Sequence, residues 1–177
     1  MSTVNEFRAA MSRGGGVQRQ HRWRVTVNFP SFVADADTIR DVSLLAVTTN
    51  TPTGQLGEIL VPWGGRELPF PGDRRFEALP ITFINVVNNG PYNAFETWQQ
   101  FINGSENNRA SANPDDYFRD VIMELLDAND NVTKTWTLQG AWPQNLGQLE
   151  LDMSAMDSYT QFTTDLRYFQ AVSDKSL

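Results

Sequence analysis

The side chains that most often carry chemistry are scarce in this sequence. Cysteine is absent, which excludes disulfides, thiolate zinc sites and a cysteine nucleophile. The sole histidine, His21, sits between Gln20 and Arg22 in a basic N-terminal stretch. One imidazole without thiolates lacks the nitrogen and sulfur ligands that transition metals select. A serine nucleophile would have to take His21 as its base, on a segment that reads as flexible. His21 therefore reads as a solvent-exposed side chain. Asp115 and Asp116 adjoin a loop-to-strand transition and read as a solvated turn, not as a general acid–base pair. Asp127, Asn129 and Asn131 have the spacing that opens a calcium loop. The glycine such a loop needs is replaced by Val132, and its closing glutamate by Leu138. These residues read as a hairpin turn. Gly14-Gly15-Gly16 lies between Arg13 and Arg19, but no strand precedes it and no Gly-Lys-Ser/Thr follows. It reads as a hinge, not a phosphate cradle. No cofactor, no metal and no catalytic residue is expected.

Charge is unevenly distributed. The chain of 177 residues carries a net charge of −7. Residues 1–24 hold five arginines against one acid, a net of +4. The remainder holds nine basic against twenty acidic residues, a net of −11. An acidic body repels phosphates, and phosphate neutralisation dominates nucleic-acid binding. The twenty aromatic residues are not interleaved with Lys and Arg, so they read as core and not as base-stacking platforms. Cations are arginine except for Lys134 and Lys175, which suits planar contacts at interfaces. No apolar run approaches the ~20 residues of a membrane-spanning helix, and residues 1–24 have no apolar stretch of the signal-peptide kind. The composition is that of a globular chain, 40% hydrophobic and 20% charged.

The elements that must position these groups follow from periodicity. Thr3 and Glu6 form a capping-box pattern before Val4, Phe7 and Met11, which predicts a short helix over 3–11 within a flexible basic segment, 1–21. Residues 22–29 alternate, with Trp23, Val25, Val27 and Phe29 on one face. A second strand is expected over 39–49 from its β-branched residues. The turn-rich stretch 50–72 reads as a projecting hairpin arm without a core of its own. A strand follows at 79–87. A helix at 91–103 places Tyr92, Phe95, Trp98 and Ile102 on one face. Residues 104–116 contain no large apolar residue and read as a mobile loop. Strands are expected at 117–126 and 132–140, joined by the loop 127–131, then at 148–153 and 159–169. In the last, Phe162, Leu166 and Tyr168 face a core while Asp165 faces out. One flanking α-helix and about seven strands make a single, mainly β domain over 1–177: an antiparallel two-sheet β-barrel or sandwich. Polar second faces and a coreless arm fit a subunit completed by copies of itself.

Two stretches carry a more specific signal. The first is Arg66-Glu67-Leu68-Pro69-Phe70-Pro71-Gly72-Asp73-Arg74-Arg75-Phe76, leading into Ile81-Thr82-Phe83-Ile84-Asn85. The second is Gly140-Ala141-Trp142-Pro143-Gln144-Asn145-Leu146-Gly147-Gln148-Leu149-Glu150-Leu151-Asp152, followed by Phe162-Thr163-Thr164-Asp165-Leu166-Arg167-Tyr168. Gly72, Asp73, Arg74 and Phe76 in the first, and Trp142, Pro143 and Gly147 in the second, resemble motifs of the tail tube proteins of contractile-tailed bacteriophages. The resemblance covers roughly residues 20–170 and is weakest over 8–24 and 104–116. It implies hexameric rings whose strands join around a lumen, stacked into a tube that conducts DNA inside a contractile sheath. It also implies a fold shared with type VI secretion tubes, and no catalysis and no cofactor.

Under that resemblance the partners are other copies of the chain, the sheath protein, baseplate and tail-terminator proteins, and DNA that passes without specific binding. The location is the phage tail, assembled in the host cytoplasm without membrane insertion. Glu150, Asp152 and Asp165 are the expected lumen-lining acids, with an outward, sheath-facing surface as the alternative. Arg13, Arg19 and Arg22, with Gly54, Leu56, Ile59 and Trp63 of the arm, are expected at contacts between rings. Trp142-Pro143 is expected to fix a bend between two strands. The alternatives are a baseplate or tube-terminator paralogue of the same fold and, from another class, a monomeric ligand-binding β-barrel.

Overall fold

Alternation at 22–29 produces strand β1 (Trp23–Val27), in which Val25 and Val27 are fully buried. The computed structural model describes residues 3–110 and 113–175. Before β1 lies α1 (Val4–Arg13); after it come α2 (Ala36–Leu45), β2 (Ala46–Thr49), β3 (Gly54–Trp63), β4 (Arg66–Phe76), β5 (Leu79–Ile84) and α3 (Gly90–Ile102). The second half holds α4 (Pro114–Tyr117), β6 (Arg119–Leu126), β7 (Val132–Leu146), β8 (Gln161–Arg167) and β9 (Gln170–Ser173). Every named strand pairing is antiparallel.

Two sheets share one long strand. The first half of β7 pairs with β6 and β9, and β6 pairs with β1. The second half of β7 pairs with β8, which pairs with β5 and then β2. The switch falls at Gly140, whose φ of 63° is left-handed. A Cβ there would stand 2.3 Å from the Phe169 ring. The β6–β7 register slips at this point, and the Gly140 N–H donates to the Asp120 carboxylate at 3.1 Å. This is a glycine bulge that turns a strand from one sheet into another. The bend therefore sits just before Trp142-Pro143, which pair with Arg167 and Leu166 inside a continuous strand. Pro143 lies in the half of β7 that forms a sheet edge, where a missing N–H leaves no ladder bond unmade.

The inner faces of the sheets meet in one cluster. Val25, Val27, Val121, Met123 and Leu138 come from the first sheet; Ile81, Phe83, Phe162 and Leu166 come from the second. Two helices close it, α2 through Val42 and α3 through Phe95 and Trp98. Ring centroids of Phe83 and Phe95 are 5.3 Å apart, and those of Phe29 and Phe95 are 5.0 Å apart. Each large side chain buried here contributes on the order of 1.5–3 kcal/mol. The Trp98 indole N–H donates to the Tyr117 carbonyl at 2.9 Å, so its polar atom is satisfied inside the core.

Four expectations are corrected. The sheets form an open sandwich and no closed barrel, because β1 and β2 end the strand path without pairing to each other. The single flanking helix becomes two core-packed helices, α2 and α3, with α1 and α4 beside them. Residues 39–45 are helical, not strand. Asp35 caps α2 by accepting from the Thr38 N–H at 2.8 Å, and Ile39 and Val42, three residues apart, reach the core at helical spacing. That packing outweighs β-branched propensity. Residues 148–153 are irregular, since no strand lies beside them. Asp152 instead closes a local turn by accepting from the N–H and the hydroxyl of Ser154.

Gly147 makes the tightest backbone approach in the second sheet. Its N–H donates to the Thr163 carbonyl at 2.7 Å, and a Cβ would sit 2.6 Å from that same oxygen. Gly147→Ala must displace the backbone. Thermal unfolding of the variant is expected to show a loss of about 1–3 kcal/mol; an unchanged melting temperature would contradict the reading.

Candidate functional site

Three surfaces collect the residues singled out in the sequence: a ribbon, the N-terminal segment and an acidic loop. The ribbon is β3 paired with β4, a two-stranded sheet separate from the sandwich. Gly64 and Gly65 make its tip with φ of 58° and 76°, the left-handed pair that a two-residue hairpin needs. The register pairs Ile59 with Phe70, Val61 with Leu68 and Trp63 with Arg66. Residues at alternate positions share a face, so Ile59, Val61, Trp63, Leu68 and Phe70 form one apolar stripe. All five are exposed, Trp63 at 78%. An isolated two-stranded hairpin is marginal in water, and an apolar face that covers nothing marks an interaction surface.

Gly54, Leu56, Ile59 and Trp63 all lie on this ribbon, as expected. Val61, Leu68 and Phe70 are absent from the sequence expectation. Alternation with Ile59 and Trp63 marks Val61, whereas Leu68 and Phe70 are revealed only by the register. The motif residues Gly72, Asp73 and Arg74 hold the ribbon's irregularity. The ladder shifts between Leu56 and Glu58. There a Cβ on Gly72 would meet the Gly57 carbonyl carbon at 3.1 Å, so the strands approach too closely for a side chain. Phe76 anchors the root, with its ring 5.8 Å from that of Tyr168. Burial pushes the Tyr168 phenol above its ordinary pKa, with Arg167 opposing and Glu77 adding to the rise.

The N-terminal segment is more ordered than its glycines imply. Thr3 and Glu6 complete a capping box on α1, and Arg13 ends that helix exposed. Arg19 lies in an exposed turn, its carbonyl accepting from the Arg22 N–H at 3.1 Å. Arg22 differs from the other two. Its guanidinium is engaged by Asp130 in the β6–β7 loop, and Gln18 donates to the Leu126 carbonyl at 3.0 Å. These bonds fasten the segment to its own hairpin, so Arg22 serves a contact within the chain. Residues 1 and 2 of the segment lie outside the described residues.

The acidic candidates divide in two. Glu150 and Asp152 of the irregular stretch 147–160 line one cleft with Tyr159 and with Gln161, the first residue of β8. Asp165 stands on β8, half-buried, and accepts from the Asn145 amide at 3.1 Å. The irregular stretch also leaves Leu151, Met153, Met156 and Tyr159 exposed. The loop expected over 104–116 folds back on α3 in its first part. Ser105 N–H donates to Gln100 at 2.9 Å, and the Asn103 side chain donates to Asn108 at 2.9 Å. Residues 111 and 112 of that loop lie outside the described residues. Asp127 accepts from the N–H groups of Asn129 and Asn131 and from the Asn131 amide, which makes the trio a turn.

Known proteins share this sequence and architecture. A family model described as phage tail tube protein matches residues 5–172. A tail tube protein of Serratia phage KSP90 is 89% identical over 176 residues, 99% of each chain. Tail tube protein gp19 of Enterobacteria phage T4 is 29% identical over 120 residues, covering 67% of this chain and 73% of its own. A chain in the cryo-EM structure of the anti-feeding prophage baseplate superposes with a TM-score of 0.64 at 18% identity, covering 89% of this chain and 95% of that one. A chain of the PVC sheath–tube complex in its extended state gives 0.55 at 16% identity, covering 98% and 99%. At these identities the structural likeness is one of fold.

The charge of the acidic loop is locally protected. The Ser154 N–H first, and its hydroxyl second, hold the Asp152 carboxyl below its ordinary pKa. A lowered folded pKa adds stability above the unfolded value of about 3.9 and loses it as pH falls through the folded value. Carboxyl carbon NMR is expected to show Asp152 titrating below free aspartate, and Ser154→Ala is expected to raise that midpoint. A midpoint unmoved by Ser154→Ala would exclude the turn as the cause.

Proposed function

Because the chain belongs to the phage tail tube protein family, we propose that it builds the inner tube of a contractile tail, as hexameric rings stacked around a lumen through which DNA leaves the capsid. A structural protein of the virion, it is not an enzyme. The observation that carries the ring-and-stack reading is the β3–β4 ribbon. Among the described residues nothing covers its apolar stripe, and an adjacent ring would supply a cover. The basic N-terminal segment adds Arg13 and Arg19 to the same contact. The open sandwich supports the ring, since its unpaired edges β1 and β2 are available for pairing between copies. The whole chain, 1–177, then acts as one repeated unit.

The lumen must pass DNA without gripping it. Acidic side chains achieve this by repelling phosphates, and Glu150, Asp152 and Asp165 are our assignments for that wall. Fold likeness to chains of baseplate, cap and sheath–tube structures supports sheath, baseplate and terminator as partners. A baseplate or terminator paralogue is the second reading, favoured by the 0.64 TM-score to the baseplate chain. The tail tube relative at 89% identity outweighs a likeness of fold alone. Assembly takes place in the host cytoplasm, without membrane insertion.

Deleting residues 54–65 is expected to leave single rings and abolish long tubes in negative-stain micrographs; tubes of normal length would refute the ribbon's role. Replacing Glu150→Gln, Asp152→Asn and Asp165→Asn together is expected to leave tubes intact, slow DNA ejection and retain more DNA in the tube. Unchanged ejection kinetics would remove these residues from the lumen wall.

A further inference from the structure

Two further surfaces are uncovered, and they complement each other. Helix α1 contributes no buried residue, and its apolar stripe begins with Val4 and Phe7, 76% and 65% exposed. A helix of this length is marginal in water without tertiary packing. Arg8 flanks the stripe one turn after Val4, while the nearby acid, Glu6, is occupied in the capping box with Thr3. The second surface is formed by α2 and the loop between β5 and α3. Asp41, Leu44, Leu45, Val86 and Val87 line one open cleft there. Leu44 is 74% exposed and Val87 is fully exposed at 103%, unusual for apolar side chains grouped in one place.

The chemistry runs in opposite order along the two helices. From its N-terminus α1 presents Val4 and Phe7 first and, one turn after Val4 on the same side, the cation Arg8. From its N-terminus α2 presents Asp37 and Asp41 first, one turn apart on one face, and Leu44 and Leu45 last. Arg40 pairs with Asp37 at 3.5 Å and Asp41 at 3.9 Å, yet α2 and its cap still carry three acids, Asp35 included, against that one cation. Laid antiparallel, Val4 and Phe7 meet the Leu44–Val87 cleft, and Arg8, one turn after Val4 on the same side, runs beside Asp41. The lengths agree: Val4 to Arg13 spans about 14 Å and Asp37 to Leu44 about 11 Å at 1.5 Å per residue. Antiparallel pairing also sets each helix dipole against the other's opposite end.

We propose that α1 of one copy docks antiparallel on α2 and the β5–α3 loop of a second copy, head to tail. The placement rests on the tube reading for the presence of ordered neighbours. It names which part of the N-terminal segment makes the contact and what receives it. Gln18 and Arg22 fasten the base of the segment to its own β6–β7 loop, so the Gly14–Gly16 turn is the joint from which α1 reaches outward. A contact of this kind uses different patches on the two copies and therefore propagates from copy to copy.

The absence of cysteine gives a clean test. The full-length chain carrying Phe7→Cys and Leu44→Cys is assembled, oxidised mildly and run on a non-reducing denaturing gel. A disulfide requires Cα atoms within about 7 Å. The expected result is a ladder from dimer upward that collapses on reduction, is absent from each single-cysteine chain and is at least several-fold weaker when Arg8→Glu is added. Monomer alone, a fast-migrating internal cross-link, or bands that stop at the dimer would overturn the proposal. Rods seen by negative stain report on the tube reading separately. Rods without cross-linking sink only this contact; a ladder without rods sinks the tube and leaves the contact standing.

Discussion

Strand β7 belongs to two sheets, and the rest of the molecule depends on its ability to turn between them. The turn needs a left-handed residue at 140 and a slot beside it for the Phe169 ring, so glycine is required there. Asp120 accepts the N–H that the bulge withdraws from the ladder. With the turn made, β8 and β9 follow the same bend on the other side of β7. The two inner faces then close on Phe83, Phe95 and Phe162, and the motif residues after the bend, Trp142, Pro143 and Gly147, fall into place against β8. Without it, the second half of β7 has no reason to leave the first sheet, and the sandwich has no second layer.

Concentrating the apolar core between the sheets leaves other apolar groups outside it. Among the described residues, the ribbon's stripe, the α1 stripe, the Leu44–Val87 cleft and Leu151, Met153 and Met156 remain exposed. A monomer selected for solubility would carry few such groups in clusters. Their grouping is the physical counterpart of membership in a family of assembling proteins. The open strand path fits the proposed ring: β1 and β2 end it unpaired to each other, and closing them would remove two edges from use by other copies.

How much of this was legible in the sequence depends on whether a residue's partners are local. The capping box of Thr3 and Glu6, the α3 face of Phe95 and Trp98, the alternation of β1 and the turn at 127–131 are written in neighbouring residues, and all are present. Residues 39–45 resemble the strand that follows them because Ile39 and Val42 are β-branched. Their helical period shows in the sequence only through Ile39 and Val42, the α2 residues that reach the core. Residues 148–153 alternate cleanly, but alternation states which face a strand would bury, not that a second strand lies beside it. The apolar face of the ribbon needed the pairing of Ile59 with Phe70, a relation that no short window contains. Gly57 was visible as a turn former, whereas its close approach to Gly72 was not.

The uneven charge of the chain gains a spatial meaning from these placements. Of the five N-terminal arginines, Arg22 and Arg24 are neutralised within the chain by Asp130 and Glu124. Both partners are acids of the β6–β7 hairpin, which lies under the segment. The cations that remain outward are Arg8, Arg13 and Arg19, carried on or beside a helix that sits on a glycine joint. The acids left outward include Asp37 and Asp41 on α2, and Glu150 and Asp152 in the irregular loop. Opposite charges on separate surfaces of one chain attract between copies, and the force falls off within about 8–10 Å at physiological salt. In the assembly proposed above, charge would set the orientation of approach, while the apolar stripes would supply most of the energy once water is excluded. The net charge of −7 then coexists with a basic patch on α1 that is opposite in sign both to that net and to the acids of α2.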